Sequence, residues 1–183
     1  ENDIVVTGNG SACVVSFQAA EIKKGQRLFT NSGCASMGYG LPAALGACIA
    51  EGEKRVICLD GDGSLMMNLQ ELQTIRYNNC NMKLFVLNNN GYHSIRQTQN
   101  NLFKEHCKIG IGPESGDLSF PEFKKIAEAF GYDYYSASSN KEMMETVDKV
   151  LETDGPVFCE IFTDTKQVWE PKSSTKRLED GTL

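Results

Sequence analysis

The sequence predicts a three-layer α/β domain built on a mainly parallel sheet. Three observations point to it. Short runs rich in β-branched residues recur along the chain, stretches with helical spacing fill the intervals, and the short runs are apolar on both faces. A sheet that shows one face to water alternates apolar with polar residues, whereas strands covered on both sides by crossover helices need no alternation.

Taken in order, "DIVVT" (3–7) predicts the first strand. Gly38–Glu51 has helical spacing, and Pro42 suits its first turn, where a missing N–H has no intrahelical partner. "RVICLD" (55–60) is the next strand, Asn68–Asn78 the next helix and "KLFVLN" (83–88) a third strand. The stretch 103–119, "FKEHCKIGIGPESGDLS", carries three glycines without a sustained period and predicts a loop. Pro121–Phe130 (helix), "YDYYSA" (132–137, strand), Lys141–Leu151 (helix) and "PVFCEIF" (156–162, strand) complete the pattern. The domain is expected to occupy residues 1–165, and residues 166–183, "KQVWEPKSSTKRLEDGTL", form a polar tail. A start just before a strand and a tail without a cap lead us to expect a piece of a longer protein.

At 183 residues the chain suffices for one well-filled core. Its 40% apolar and 23% charged residues are those of an ordinary globular protein. A net charge of −6 without a lysine or arginine cluster excludes a general nucleic-acid surface. Seven cysteines, odd in number and without a C-x-x-C, predict reduced thiols packed as small hydrophobes and a cytoplasmic setting. No apolar run approaches the ~18 residues of a spanning helix, so no membrane partner is expected.

The informative stretch is "RVICLDGDGSL" (55–65), where an apolar strand stops at two aspartates interleaved with two glycines. Parallel sheets present ligands at the carboxyl ends of their strands. Gly61 and Gly63 allow positive φ and let backbone N–H groups approach an anion, close to a helix N-terminus. Asp62 alone would repel a phosphate, so its presence calls for a metal between the two. "KLFVLNNNGYHS" (83–94) ends in the same way, and a neighbouring parallel strand would bring Asn89 beside Asp62. Mg²⁺ takes hard oxygen ligands, one or two carboxylates and substrate phosphates. An aspartate, an asparagine amide oxygen, a backbone carbonyl and a diphosphate meet that demand.

G-D-G-S, followed 27 positions after its Asp by the second Asn of L-N-N, resembles the signature of thiamine-diphosphate enzymes of the acetolactate synthase and pyruvate decarboxylase type. "TNSGCASMGYGLPAALGA" (30–47) is similar to the block that precedes it in that family. The resemblance runs from about Ile4 to Glu160 and concerns the C-terminal, diphosphate-binding domain. It implies Mg²⁺ held by Asp62, Asn89 and the Gly91 carbonyl. It implies a diphosphate cradle from Gly61, Gly63, Ser64 and the N–H groups of Tyr92, His93 and Ser94, with Asn9, Gly10 and Ser11 at the first strand end. Ala35, Ser36 and Met37 would hold the aminopyrimidine, with Met37 as the apolar wedge that bends the cofactor and so a catalytic residue. When bound, thiamine diphosphate supplies a thiazolium ring that accepts the electrons released as a 2-keto acid loses CO₂. The family's conserved glutamate belongs to a separate pyrimidine-binding domain, in the same polypeptide or another subunit. No segment here resembles that domain, so this chain alone is expected to be inactive, and a homodimer or tetramer is implied.

Three departures leave the 2-keto acid open: Ala35 where the synthases usually have Gly, Ser11 and Ala12 in place of a Gln-His pair, and Thr98 in place of a tryptophan. Oxidases, carboligases, decarboxylases and acyl-CoA lyases share these motifs.

The rival for the opening stretch is a calcium loop, because Asp60, Asp62, Ser64, Met66, Asn68 and Glu71 fall at EF-hand positions. Against it, Leu65 stands where the turn needs Gly, and a strand former precedes it. "GNGSAC" (8–13) is a weak dinucleotide fingerprint, its third glycine replaced by Cys13. "NNN" alone is a polar turn with Gly91 as its left-handed residue. His93 lies near the expected phosphates, His106 reads as solvated or packed, Met66, Met67, Met143 and Met144 as helix packing, and Trp169 as a tail anchor.

Overall fold

In a computed structural model, which describes residues 2–52, 54–103, 108–171 and 178–182, six strands pair in parallel. They are β1 (Ile4–Thr7), β2 (Arg27–Phe29), β3 (Val56–Gly61), β4 (Met82–Asn88), β5 (Asp133–Ala137) and β6 (Val157–Phe162), in the order β2-β1-β3-β4-β6-β5. The five strands expected from sequence lie within one residue of their expected bounds. β2 was not among them. It is a three-residue edge strand, too short for a period, and the Arg27 guanidinium lies 5.1 Å over the Phe29 ring.

Among the described residues the helices are α1 (Ser11–Ala19), α2 (Gly40–Glu51), α3 (Asp62–Leu65), α4 (Glu71–Tyr77), α5 (His93–Thr98), α6 (Phe123–Ala129) and α7 (Asn140–Glu152). Three of them, α1, α3 and α5, escaped the sequence pattern: α3 is a single turn of four residues, and for α1 and α5 the reason lies in their burial. In α1 the apolar residues are not gathered on one face: Ala12 is buried while Val15 and Phe17 are 44% and 49% exposed. In α5 the buried positions are His93 and Arg96, polar residues where a periodic pattern looks for apolar ones. α7 is the opposite case, with strong amphipathicity and a capped start. Ser139 Oγ accepts from the Glu142 N–H at 3.3 Å, and the Glu142 carboxylate accepts from the Ser138 N–H at 2.9 Å.

The sheet is apolar on both faces because successive strand residues point to opposite sides. Leu84, Val86 and Phe158 meet Leu41, Ala44, Leu72, Ile75, Phe123 and Ala127 of α2, α4 and α6. Phe85, Val157 and Cys159 meet Val150, Met143 and Val147 of α7. Each large side chain so buried contributes about 1.5–3 kcal/mol. Lys83 enters the interior as well, its Nζ donating to the carbonyls of Thr153 (2.5 Å) and Gly155 (2.6 Å) just past α7. No helix among the described residues is long and apolar enough to cross a membrane.

The six described cysteines are unpaired, and His106 and Cys107 lie outside the described residues. Burial pushes the Cys48 and Cys159 thiols up to about 12, and Cys58 upward as well. Thiols raised in this way stay protonated at pH 8, whereas the thiolate is the reactive form. Iodoacetamide on the native protein should therefore modify exposed Cys34 first and spare Cys48, Cys58 and Cys159. Peptide mass spectrometry checks this, and labelling of Cys159 as fast as Cys34 would refute the packing.

Candidate functional site

The carboxyl ends of β1, β3 and β4 lie side by side, and their register brings the polar motifs together. Thr7 pairs with Leu59 and Gly61 with Leu87, so the Gly8–Ser11 turn, Asp60–Ser64 and Asn88–Gly91 leave the sheet as neighbours.

Asp60, the last-but-one residue of β3, is fully buried, and its Oδ1 accepts from the Gly61 N–H at 2.9 Å. The backbone closes over its carboxyl so tightly that a Cβ on Gly8 or Gly40 would stand 2.1 or 2.7 Å from it. Burial, opposed by hydrogen bonds from Ser64 and Gly61, pushes this carboxyl up to about 6. Asp60 is thus a packing residue that joins β1, β3 and the start of α2.

Asp62 faces a different set of groups. Its Oδ1 accepts from the Gly63 N–H and its Oδ2 from the Gly91 N–H, both at 2.8 Å, which joins the β3 end to the β4 end. Burial pushes its carboxyl up to about 6, against the Gly91 and Gly63 bonds and nearby Arg96. A buried carboxylate held by two N–H groups still lacks a full counter-charge, which a cation would provide.

The neighbouring Asn89 is 7% exposed, and its Oδ1 is buried without a hydrogen-bond partner. An orphaned buried acceptor costs about 1–3 kcal/mol, and a hard cation would relieve that cost. The left-handed residue of this turn is Asn90 (φ 56) rather than Gly91, whose φ of 146 is open only to glycine. A Cβ on Gly91 would come 1.9 Å from the Ile111 carbonyl.

The two glycines of G-D-G do not use the positive φ that is open to them. Gly61 is extended (φ −95, ψ 155), with open space where a Cβ would be. At Gly63 the constraint is steric, because a Cβ would stand 2.3 Å from the Tyr92 ring. Tyr92 also donates its N–H to the Ile111 carbonyl at 2.9 Å and sets its ring edge-on to Phe120.

Ser64 couples the G-D-G-S turn to the loop ahead of α2. Its Oγ accepts from the Gly38 N–H at 2.9 Å, while Asn68 Nδ2 donates to the Gly38 carbonyl at 2.7 Å. This double hold places Met37, 38% exposed, on the cleft. Its neighbours Ala35 and Ser36 are exposed and do not line the cleft, and Ala35 takes a left-handed φ of 48.

One cleft is therefore lined by Asn9, Gly10, Ser11, Met37, Gly61, Asp62, Gly63, Ser64, Asn89, Gly91, Tyr92, His93 and Ser94, and also by Leu87 and Ile95. His93 is buried, with its ring nitrogens toward Arg96 (3.4 Å) and Gln97 (2.8 Å) and its ring 5.5 Å from that of Trp169. The described part of the tail accordingly folds back on the site, and Gln18 Nε2 donates to the Pro171 carbonyl at 2.8 Å.

Sequence reasoning missed the groups behind the cleft: Arg96, Glu114, Ile111 and Glu160. The only available signal was the pair of glycines in "GIGP" (110–113), which mark a close backbone approach. Among the described residues no three His, Cys, Asp or Glu side chains gather as a metal cluster, so nothing supports a calcium loop over Asp60–Glu71. The mixed donor set of one carboxylate, one amide oxygen and backbone oxygens does suit Mg²⁺. The cleft beside it is lined by Gly10, Ser11 and Gly61, with open space at Gly61, so the residues present fit a metal-bound diphosphate.

Residues 8–161 match the family described as thiamine pyrophosphate enzyme, C-terminal TPP binding domain. The chain is 35% identical over 162 residues to acetolactate synthase 1, chloroplastic, of Zea mays, covering 87% of this chain and 25% of that protein. It is 28% identical over 167 residues to the acetolactate synthase isozyme 1 large subunit of Escherichia coli K12, covering 91% and 29%. In structure it is similar to the Rhodococcus jostii RHA1 thiamine diphosphate-dependent 4-hydroxybenzoylformate decarboxylase, with a TM-score of 0.76 at 22% identity over 90% of this chain and 30% of that one. The chain thus spans between a quarter and a third of the length of these proteins.

Proposed function

The chain belongs to the C-terminal thiamine pyrophosphate-binding domain family of thiamine pyrophosphate enzymes, and from that premise we propose that it binds the diphosphate end of thiamine diphosphate through Mg²⁺. Asp62 and Asn89 supply side-chain oxygens and Gly91 a carbonyl. Gly63, Ser64 and the Tyr92–Ser94 backbone receive the phosphates. Met37 supports the bend of the cofactor from the rim of the cleft, with Ala35 and Ser36 beside it.

The observation that carries this reading is the buried, unpartnered Oδ1 of Asn89, a residue that lines the same cleft as Asp62. An amide oxygen without a donor is costly and is what a cation requires.

The whole protein we place among acetolactate synthase-like enzymes, which decarboxylate a 2-keto acid and transfer or release the acyl unit. The resemblance to acetolactate synthases over most of this chain supports that placement. The pyrimidine-binding domain with its catalytic glutamate would come from another segment or subunit, in a homodimer or tetramer. The thiols packed in the core are in keeping with a reducing, cytoplasmic compartment.

Calorimetric titration with thiamine diphosphate, with and without Mg²⁺, tests the proposal on wild type and Asp62→Ala. We expect binding that needs Mg²⁺ and is weakened at least about 100-fold by the substitution. Binding that ignores Mg²⁺, or that survives Asp62→Ala unchanged, would overturn the assignment.

A further inference from the structure

Arg96 stands out because the reading above gives it no part, yet it is 5% exposed and surrounded by the backbone of the proposed metal turn. We propose that Arg96 is the positioning residue of that turn, a guanidinium clasp that sets where the Asn89 amide oxygen and the Gly91 carbonyl meet the cation. The inference rests on the metal reading and goes beyond it.

The clasp has two sides. Toward the turn, Nη1 donates to the Asn89 carbonyl (3.4 Å) and Nη2 to the Asn90 carbonyl (3.1 Å), so both peptide units flanking Asn90 are held. Away from it, Nε pairs with Glu114 Oε1 at 2.5 Å, and Nη2 lies 3.5 Å from the Ile111 carbonyl. Residues 110–116 thereby become a wall for the turn rather than an idle loop. The fit is close, since a Cβ on Gly112 would stand 2.4 Å from the Asn90 carbonyl oxygen. From the sheet side, Asn88 Oδ1 accepts from the Asn90 N–H at 2.8 Å, and Asn88 Nδ2 donates to Glu160 at 2.6 Å.

A planar group with five fixed donors can hold several carbonyls at set angles, and a lysine cannot. Holding matters for Mg²⁺ in particular, because that ion demands near-ideal octahedral geometry while Ca²⁺ accepts a flexible shell. Loss of the clasp should therefore penalise Mg²⁺ more than Ca²⁺, whereas general destabilisation would penalise both alike.

The test is the concentration of Mg²⁺, and separately of Ca²⁺, that half-saturates thiamine diphosphate binding, read by calorimetry alongside circular dichroism. Arg96→Met should raise the Mg²⁺ requirement about 10-fold or more and the Ca²⁺ requirement about 3-fold or less, with Arg96→Lys between wild type and Arg96→Met. Glu114→Gln, whose side chain is 42% exposed, should raise the Mg²⁺ requirement about 3-fold with the fold intact. Should Arg96→Met fail to fold, Arg96→Lys and Glu114→Gln decide. An unchanged Mg²⁺ requirement in both, or equal losses for the two ions, overturns the inference and leaves the metal reading standing. Wild-type binding that needs no metal overturns the metal reading, and this inference with it.

Discussion

Gly91→Ala is expected to lower the melting temperature by about 5–15 °C and to abolish Mg²⁺-dependent cofactor binding. Two costs combine. The φ of 146 is a conformation that L side chains rarely adopt, worth about 1–3 kcal/mol. The added methyl would also stand 1.9 Å from the Ile111 carbonyl and 2.9 Å from Arg96 Nη2, an overpacking cost of about 1–3 kcal/mol that no rotamer relieves. Together they come to about 2–6 kcal/mol, and each kcal/mol lowers the melting temperature of a domain of this size by about 2–4 °C. The shift needed to admit the methyl would part the Gly91 N–H from Asp62 Oδ2 and so disturb two proposed ligands at once. Gly61→Ala is the control, since its Cβ would enter open space at ordinary φ, and its effect should stay within about 0.5 kcal/mol. Thermal denaturation of the two variants separates the cases, and equal melting temperatures would show that the turn is not as tight as described.

Asn89→Ala should move binding and stability in opposite directions. Its Oδ1 is buried without a donor, so removing it deletes a cost of about 1–3 kcal/mol, offset in part by the small cavity left behind. The cofactor-free protein should consequently melt at the wild-type temperature or up to a few degrees above it. Mg²⁺-dependent binding of thiamine diphosphate should weaken about 100-fold, as expected when a metal loses one of three protein ligands. Differential scanning calorimetry with and without Mg²⁺ and cofactor reads both effects. A marked fall in the melting temperature of the cofactor-free variant would mean that the Asn89 side chain serves the fold, and its assignment as a ligand would fail.

These contrasts show which parts of the site were legible in the sequence. Asp62 and Asn89 could be read because strand-end position and residue chemistry are local properties: an apolar run that stops at a carboxylate announces itself. The strands were legible for the same reason, since both faces of β4 and β6 are apolar and the pattern needs no partner to be recognised. The glycines were read less well. Gly63 could be read as freedom of φ and close backbone approach, but it is required because the Tyr92 ring, 29 positions on in the sequence, occupies the space of a side chain. Asp60 and Asp62 look alike in the sequence, yet one packs against Gly8 and Gly40 and the other joins the two strand ends.

By itself the sequence determined the α/β class, the order of the main elements and the residue types gathered at the strand ends, because periodicity, β-branching and turn chemistry act over a few residues. Tertiary structure alone decided that β2 joins the edge, that Arg96 turns inward to hold the Asn89–Gly91 turn, that residues 110–116 form its wall and that Trp169 lies against His93. Those outcomes depend on register and on contacts between residues far apart in the chain. A buried arginine or an orphaned amide oxygen acquires its meaning only from the atoms that fold around it.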